Sequence, residues 1–130
     1  WFVSRRAASA ILGYMNKQRA DLHLASPSRA HLVAAHGYDV KAAMHLLRLG
    51  FQGIELLTTG RITQPIPDEQ RTYLKAVRAG AFPEREVLEH AAELEAEVAS
   101  LKTCSRFPEQ VDRIPVDRWM VNAHRKHWAW

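Results

Sequence analysis

Residues 38–59 read YDVKAAMHLLRLGFQGIELLTT, and this stretch decides the fold. With about 100° of turn per residue, Lys41, His45, Arg48, Gln52, Glu55 and Thr59 fall within an arc of roughly 80°. Nearly every other position is Ala, Val, Leu, Ile, Met, Phe or Gly. A surface helix shows the reverse, a narrow apolar stripe on a polar cylinder. The pattern therefore predicts a helix buried on most sides, with one wet face that carries cations. Charges in such a setting cost free energy unless something pairs with them. Glu55, another helix or an anionic ligand would serve, and the choice among them decides what the protein does. Gly50 and Gly53 lie off the polar stripe. Glycine inside a helix costs about 1 kcal/mol relative to alanine, so a close approach by another helix is expected there.

The flanking sequence is punctuated for helices. Ser4 is placed to cap a helix to about Leu22, with Ala8, Ile11, Leu12, Met15 and Leu22 on one side. Ser26 and Pro27 open a short helix ending near Gly37. Asp39 caps the striped helix, and Gly60 stands where a left-handed terminal residue is wanted. Residues 61–67, RITQPIP, are extended by their two prolines and form at most a short edge strand. Asp68 caps a helix to about Arg78, stopped by Gly80. Pro83 opens the next helix, with Glu84 and Glu86 set against the positive end of its dipole. Val87, Ala91, Leu94, Val98 and Leu101 form its apolar seam. A loop over residues 103–114 precedes a last helix opened by Pro115, which carries Trp119, Met120 and Ala123 and ends in Trp128, Ala129 and Trp130. The expected fold is all-α, about six helices in one compact bundle spanning residues 1–130.

The chain has 130 residues and a hydrophobic content of 47%, enough for one domain with a real core. Its single cysteine, Cys104, excludes an internal disulfide and fits a reducing, cytoplasmic setting. No apolar run approaches the roughly 20 residues that span a bilayer, and a signal peptide is not expected. Trp1, Phe2 and Val3 make an apolar start without an initiator Met. That start reads as the broken edge of something longer. The net charge of +4 is uneven: six Glu against Arg85 and Lys102 make residues 84–102 a local −4, and the remainder carries +8. A basic body with one acidic helix points to a polyanionic or nucleotide partner, or to ordinary solvated charge.

The chemistry-bearing residues are basic. Lys41, His45 and Arg48 project side by side, offering phosphate oxygens a point charge, a switchable donor and a planar fork. The alternative is a solvated stripe hydrogen-bonded by Gln52 and Glu55. Arg71, Lys75 and Arg78 repeat that spacing on the helix after the proline loop, a pattern also common on water-facing helices. Arg5 and Arg6 oppose the dipole at the start of the first helix, a weak pointer to an anion. His124 and His127 share a face, but one Cys and no second His-rich segment give no zinc pattern. Cys104 has no identifiable base. There is no glycine-rich phosphate loop, no G-x-S-x-G and no Asp-x-Asp pair. The residues around Gly80 form a helical hairpin whose second helix is too acidic for a DNA groove.

The segment HGYDVKAAMHLLRLGFQGIELLTTGRI resembles the C-terminal helical part of predicted nucleotidyltransferases of the DNA polymerase β superfamily, found in bacteria and bacteriophages, with one branch associated with RNA repair. Tyr38, Asp39, Lys41, His45, Arg48, Glu55, Leu56, Leu57, Thr59 and Gly60 carry the likeness, supported by FVSRRAASAILGY and RAGAFPEREVL. The resemblance implies that catalysis, Mg²⁺ and its carboxylates belong to a preceding β-sheet domain whose Gly-Ser motif this chain lacks. It further implies that Lys41, His45 and Arg48 contact a nucleoside triphosphate or an RNA or DNA acceptor, with Glu55 orienting Arg48 or its neighbours across the stripe. The alternative function is a non-enzymatic basic module for RNA or DNA, using both basic rows with Trp119, Arg125, Lys126 and Trp128. A third reading is an assembly domain pairing through the Val87, Leu94 and Leu101 seam.

Overall fold

The computed structural model describes residues 3–24 and 26–128. In chain order the elements are α1 (Ala7–Ala20), a 3₁₀ turn (Asp21–His23), α2 (Ala30–His36), α3 (Val40–Thr59), α4 (Asp68–Arg78), α5 (Glu84–Cys104) and α6 (Arg113–Trp128). Among the described residues no strand forms, so the all-helical expectation holds. Trp1, Phe2, Ala129 and Trp130, expected as a broken edge and a helix end, lie outside the described residues.

The striped helix is α3, and it is the hub, packed against α1, α4 and α5. Asp39 starts it: its Oδ1 accepts the Lys41 and Ala42 N–H groups at 3.0 Å each. Gly60 ends it at φ +82°, a left-handed conformation that glycine alone adopts readily. Between those caps, Val40, Ala42, Ala43, Leu46, Leu47 and Leu57 are fully buried. All but Leu57 join Met15, Leu22, Tyr38, Leu74, Val77, Val87 and Leu94 in the core, and Leu57 belongs to a smaller cluster with Ala8 and Val98 toward the far end.

The two glycines have the packing reason their position predicts. A Cβ on Gly50 would stand 2.8 Å from the Leu94 Cβ and 3.2 Å from the Met15 Cε. One on Gly53 would stand 2.9 Å from the Ile11 Cγ2. Through these positions α5 and α1 lie directly on the α3 backbone. The Val87, Ala91, Leu94 and Val98 seam of α5 is buried within the same domain. Phe51, Tyr73, Phe82 and His90 stack edgewise or tilted where α3, α4 and α5 meet.

Three caps differ from expectation. Ser4 does not cap with its hydroxyl; it is buried, and its carbonyl accepts the Ala7 N–H at 3.1 Å. Ser26 closes a turn through its carbonyl to Arg29 N–H, because residues 27–29 make a turn before α2 begins at Ala30. Pro67 takes the cap position of α4 and Asp68 enters the first turn, since a proline there has no N–H to leave unpaired. Residues 61–67 form no strand, and the Gln64–Pro65 peptide is cis. Helix α6 contributes no buried residue: Trp119, Met120 and Trp128 are each about half exposed. Among the described residues no helix is long and apolar enough to cross a membrane.

Gly50→Ala is expected to lower unfolding free energy by about 1–3 kcal/mol, the usual cost of overpacking. Gly13→Ala, at a helical site with open space around it, should be neutral or stabilising by up to about 1 kcal/mol. Urea unfolding of both variants checks the pair.

Candidate anion-binding surface

The cap that starts α3 also fixes the first cation beside it. Asp39 is buried, only 1% exposed. One of its oxygens holds the helix amides, and the other lies 3.3 Å from the Arg29 Nε. Arg29 is thereby drawn against the first turn of α3, next to Lys41 and His45. These three, with Ser28 and with Gln18 of α1, line a concavity of about 430 Å³. His45 is half-buried, and its Nδ1 is shielded from solvent without a hydrogen-bond partner. Burial pushes its pKa below the ordinary imidazole value, and the charges of Arg48, Lys41 and Arg29 push the same way against the weaker pull of Asp39.

The next turn of α3 serves a second concavity. Met44 and Arg48 of α3 face Arg71, Leu74 and Lys75 of α4 and residues 64–66 of the proline loop, around a volume of about 250 Å³. Buried Leu74 anchors this turn of α4 on the core. Its neighbours Arg71 and Lys75 thereby line the same hollow as Arg48. Asp68 pairs with Arg71 one turn earlier. Arg48 and Lys75 make no ion pair among the described residues, and the Arg48 Nε is shielded without a hydrogen-bond partner. His45 and Arg48 are about 4.5 Å apart along the helix axis, so the two hollows adjoin. A continuous cationic strip runs from Arg29 through Lys41, His45 and Arg48 to Lys75 and Arg71.

The structure thus merges most of two rows that were separate in sequence, and it leaves two residues out. Arg78 is half-buried and does not reach the Arg48 hollow. Glu55 does not orient Arg48. Its Oε1 accepts the Thr63 N–H, and the Thr63 hydroxyl at 2.7 Å, tying the proline loop back onto α3. It lines a separate hollow with Phe51, Thr58 and Gln70. Two turns of helix separate it from the cations, and the loop brings it a nearer donor. Gln18, Ser28 and Arg29 were not foreseen as part of the surface. The available signal was Asp39, a cap whose second oxygen needs a cation once the helix is buried.

Mg²⁺ does not fit the residues present. Among the described residues no three His, Cys, Asp or Glu side chains come together to hold a metal. Two acids beside the strip, Asp39 and Asp68, are tied to Arg29 and Arg71. Against known proteins, the chain matches no family model, no curated protein and no solved structure.

A histidine whose folded pKa is lowered contributes stability above its ordinary value, near pH 6.5, and loses it as pH falls toward the folded pKa. The native state then holds fewer protons than the unfolded one. Chemical unfolding of wild type and His45→Gln between pH 7.5 and pH 5 checks the sign. Wild type should lose more stability on acidification than the variant, and sulfate should narrow the gap by stabilising the imidazolium.

Proposed function

We propose that this chain is the helical, phosphate-binding half of a metal-dependent nucleotidyltransferase, acting on a nucleoside triphosphate and transferring to an RNA or DNA acceptor. The observation that carries the reading is the convergence of Arg48, Arg71 and Lys75 in one hollow beside the Lys41 and His45 hollow. Five or six donors of positive charge, paired among the described residues only with Asp39 and Asp68, form a surface that an oxyanion chain would complete. Arg48 and Arg71 present planar forks to non-bridging phosphate oxygens, and Lys41 and Lys75 supply point charges. His45 gains a proton and a hydrogen bond as an anion offsets the neighbouring cations. The stripe position matches the family resemblance of residues 37–60. The catalytic carboxylates and Mg²⁺ are not supplied by this chain, and in this reading they belong to another part of a longer protein working in a bacterial or phage-infected cytoplasm.

A second reading, a non-enzymatic RNA- or DNA-binding module, is favoured by α6. That helix exposes Trp128 beside Arg125 and Lys126, a combination suited to base stacking and phosphate contact. Salt separates the two. A nucleic-acid module loses affinity steeply as salt rises, whereas a nucleotide pocket loses less and discriminates between nucleotides.

Arg48→Ala should weaken nucleoside triphosphate binding by about 1–3 kcal/mol, the scale of a charge-assisted hydrogen bond, with little change in Tm. Calorimetric titration alongside thermal unfolding reads both quantities. Intact binding together with a collapsed Tm would make the stripe structural.

A further inference from the structure

The opposite end of the bundle carries a second cationic hollow. It has a volume of about 410 Å³ and is lined by Arg5, Arg6 and Ser9 at the start of α1, Lys102 and Thr103 at the end of α5, and Glu109 in the loop beyond. Residues Ala8, Leu57 and Val98 form the core beneath this end. Leu57 lies about 18 Å beyond His45 along α3, so the two surfaces are well separated.

The charge here comes from side chains and not from free helix amides. The Arg5 N–H bonds to the Pro108 carbonyl at 2.7 Å, the Arg6 N–H to the Glu109 carbonyl at 3.2 Å, and the Ala7 N–H to the Ser4 carbonyl at 3.1 Å. Arg5 reaches across to α5, where its Nη1 donates to the Thr103 carbonyl at 3.0 Å, at the negative end of that helix dipole. Its Nε is shielded from solvent and has no hydrogen-bond partner. Arg6 and Lys102 have no side-chain hydrogen bond or ion pair among the described residues. Three cations, Arg5, Arg6 and Lys102, therefore line the hollow against one carboxylate, Glu109. Among the described residues that line it, the hollow carries a formal excess of two positive charges.

We propose that this hollow binds a phosphomonoester dianion. Such a group carries a charge of about −1.5 to −2 near pH 7, which matches the excess, while a diester would leave one cation uncompensated. Arg6 offers a planar fork and Lys102 a point charge. The Thr103 hydroxyl already donates to the Ser100 carbonyl. The neutral donors are then the Ser9 hydroxyl and the Gln110 amide, both on the lining. The same chemistry fits free phosphate, a nucleotide's terminal phosphate and the phosphorylated end of a nucleic acid strand. The inference stands on its own residues and does not depend on the reading of the α3 strip.

The test is an NMR titration of the full ¹⁵N-labelled chain at pH 7.5 and constant ionic strength, following the backbone amides of Arg6, Ser9 and Thr103. The probes are inorganic phosphate, dimethyl phosphate and 5′-AMP. Inorganic phosphate should shift these amides saturably, and dimethyl phosphate should bind at least about tenfold more weakly, the scale of one charge-assisted bond. Arg6→Gln combined with Lys102→Gln should weaken phosphate by about tenfold or more while the spectrum stays dispersed. Arg5 is left intact because it holds the end of α5. Arg48→Gln combined with Lys75→Gln should leave these shifts unchanged, so failure at one surface is distinguishable from failure at the other. Tighter binding of 5′-AMP than of phosphate would identify a nucleotide source, and equal binding the phosphate group alone. Absence of saturable shifts, undiminished affinity in the folded double variant, or equal binding of dimethyl phosphate would overturn the proposal.

Discussion

Everything in this fold depends on how closely α1 and α5 approach α3. At Gly50 and Gly53 there is no room for even a methyl group between α3 and its neighbours. Side chains of Leu94, Met15 and Ile11 occupy the space a Cβ would need. That contact buries the helix on most of its circumference, and the apolar residues flanking the glycines complete the core. Close packing of this kind fixes helix rotation as well as position, since a rotated α3 would put a bulkier side chain against Leu94. The rotation in turn sets where the polar stripe emerges.

The cationic part of the stripe then faces the ground between α1, the turn before α2, and α4. Asp39 shows how a structural group shapes the electrostatics there. It must cap α3, it is buried, and a buried carboxylate needs a cation. Arg29 answers that need and so arrives beside Lys41 and His45. On the next turn, the proline loop and the anchoring of Leu74 bring Lys75 and Arg71 into the hollow that Arg48 lines. The cations are assembled by requirements of caps and core, and their mutual repulsion is left for a ligand or solvent to screen. His45 registers that repulsion directly, with a pKa lowered by burial and by the three cations around it.

Helix α6 follows a different rule. It begins after the loop that crosses the end of the bundle, where the Pro108 and Glu109 carbonyls accept the Arg5 and Arg6 amides. It adds nothing to the core, and its Ile114, Met120, Val121 and Trp128 remain largely open. The bundle of α1 to α5 is closed without it. The acidic α5 is likewise amphipathic in the plain sense: its seam is buried on α3 and α1, while Glu86, Glu89, Glu93 and Glu97 face outward. The seam expected for assembly is therefore used inside the domain.

The sequence by itself determined the helices and several of their limits, although α1, α2 and α6 begin at Ala7, Ala30 and Arg113 and not at the Ser4, Pro27 and Pro115 signals. Periodicity, Asp39, Gly37, Gly60, Gly80 and Pro83 are local signals, and each acts through the backbone within a few residues of itself. It also marked α3 as buried and Gly50 and Gly53 as contact points, because burial and helix period are both written in a linear pattern. Weak caps were legible only in part: Ser4 and Ser26 have the right chemistry, but their carbonyls and not their hydroxyls close the turns. Which cations share a hollow was decided by tertiary structure alone. Arg48 and Lys75 are far apart in the chain, and Arg5 lies further still from Lys102. Only the packing of α4 on α3, and of α1 against α5, brings each pair together. Glu55 went to Thr63 for the same reason, since a loop folding back offered it donors that no helical spacing could reveal.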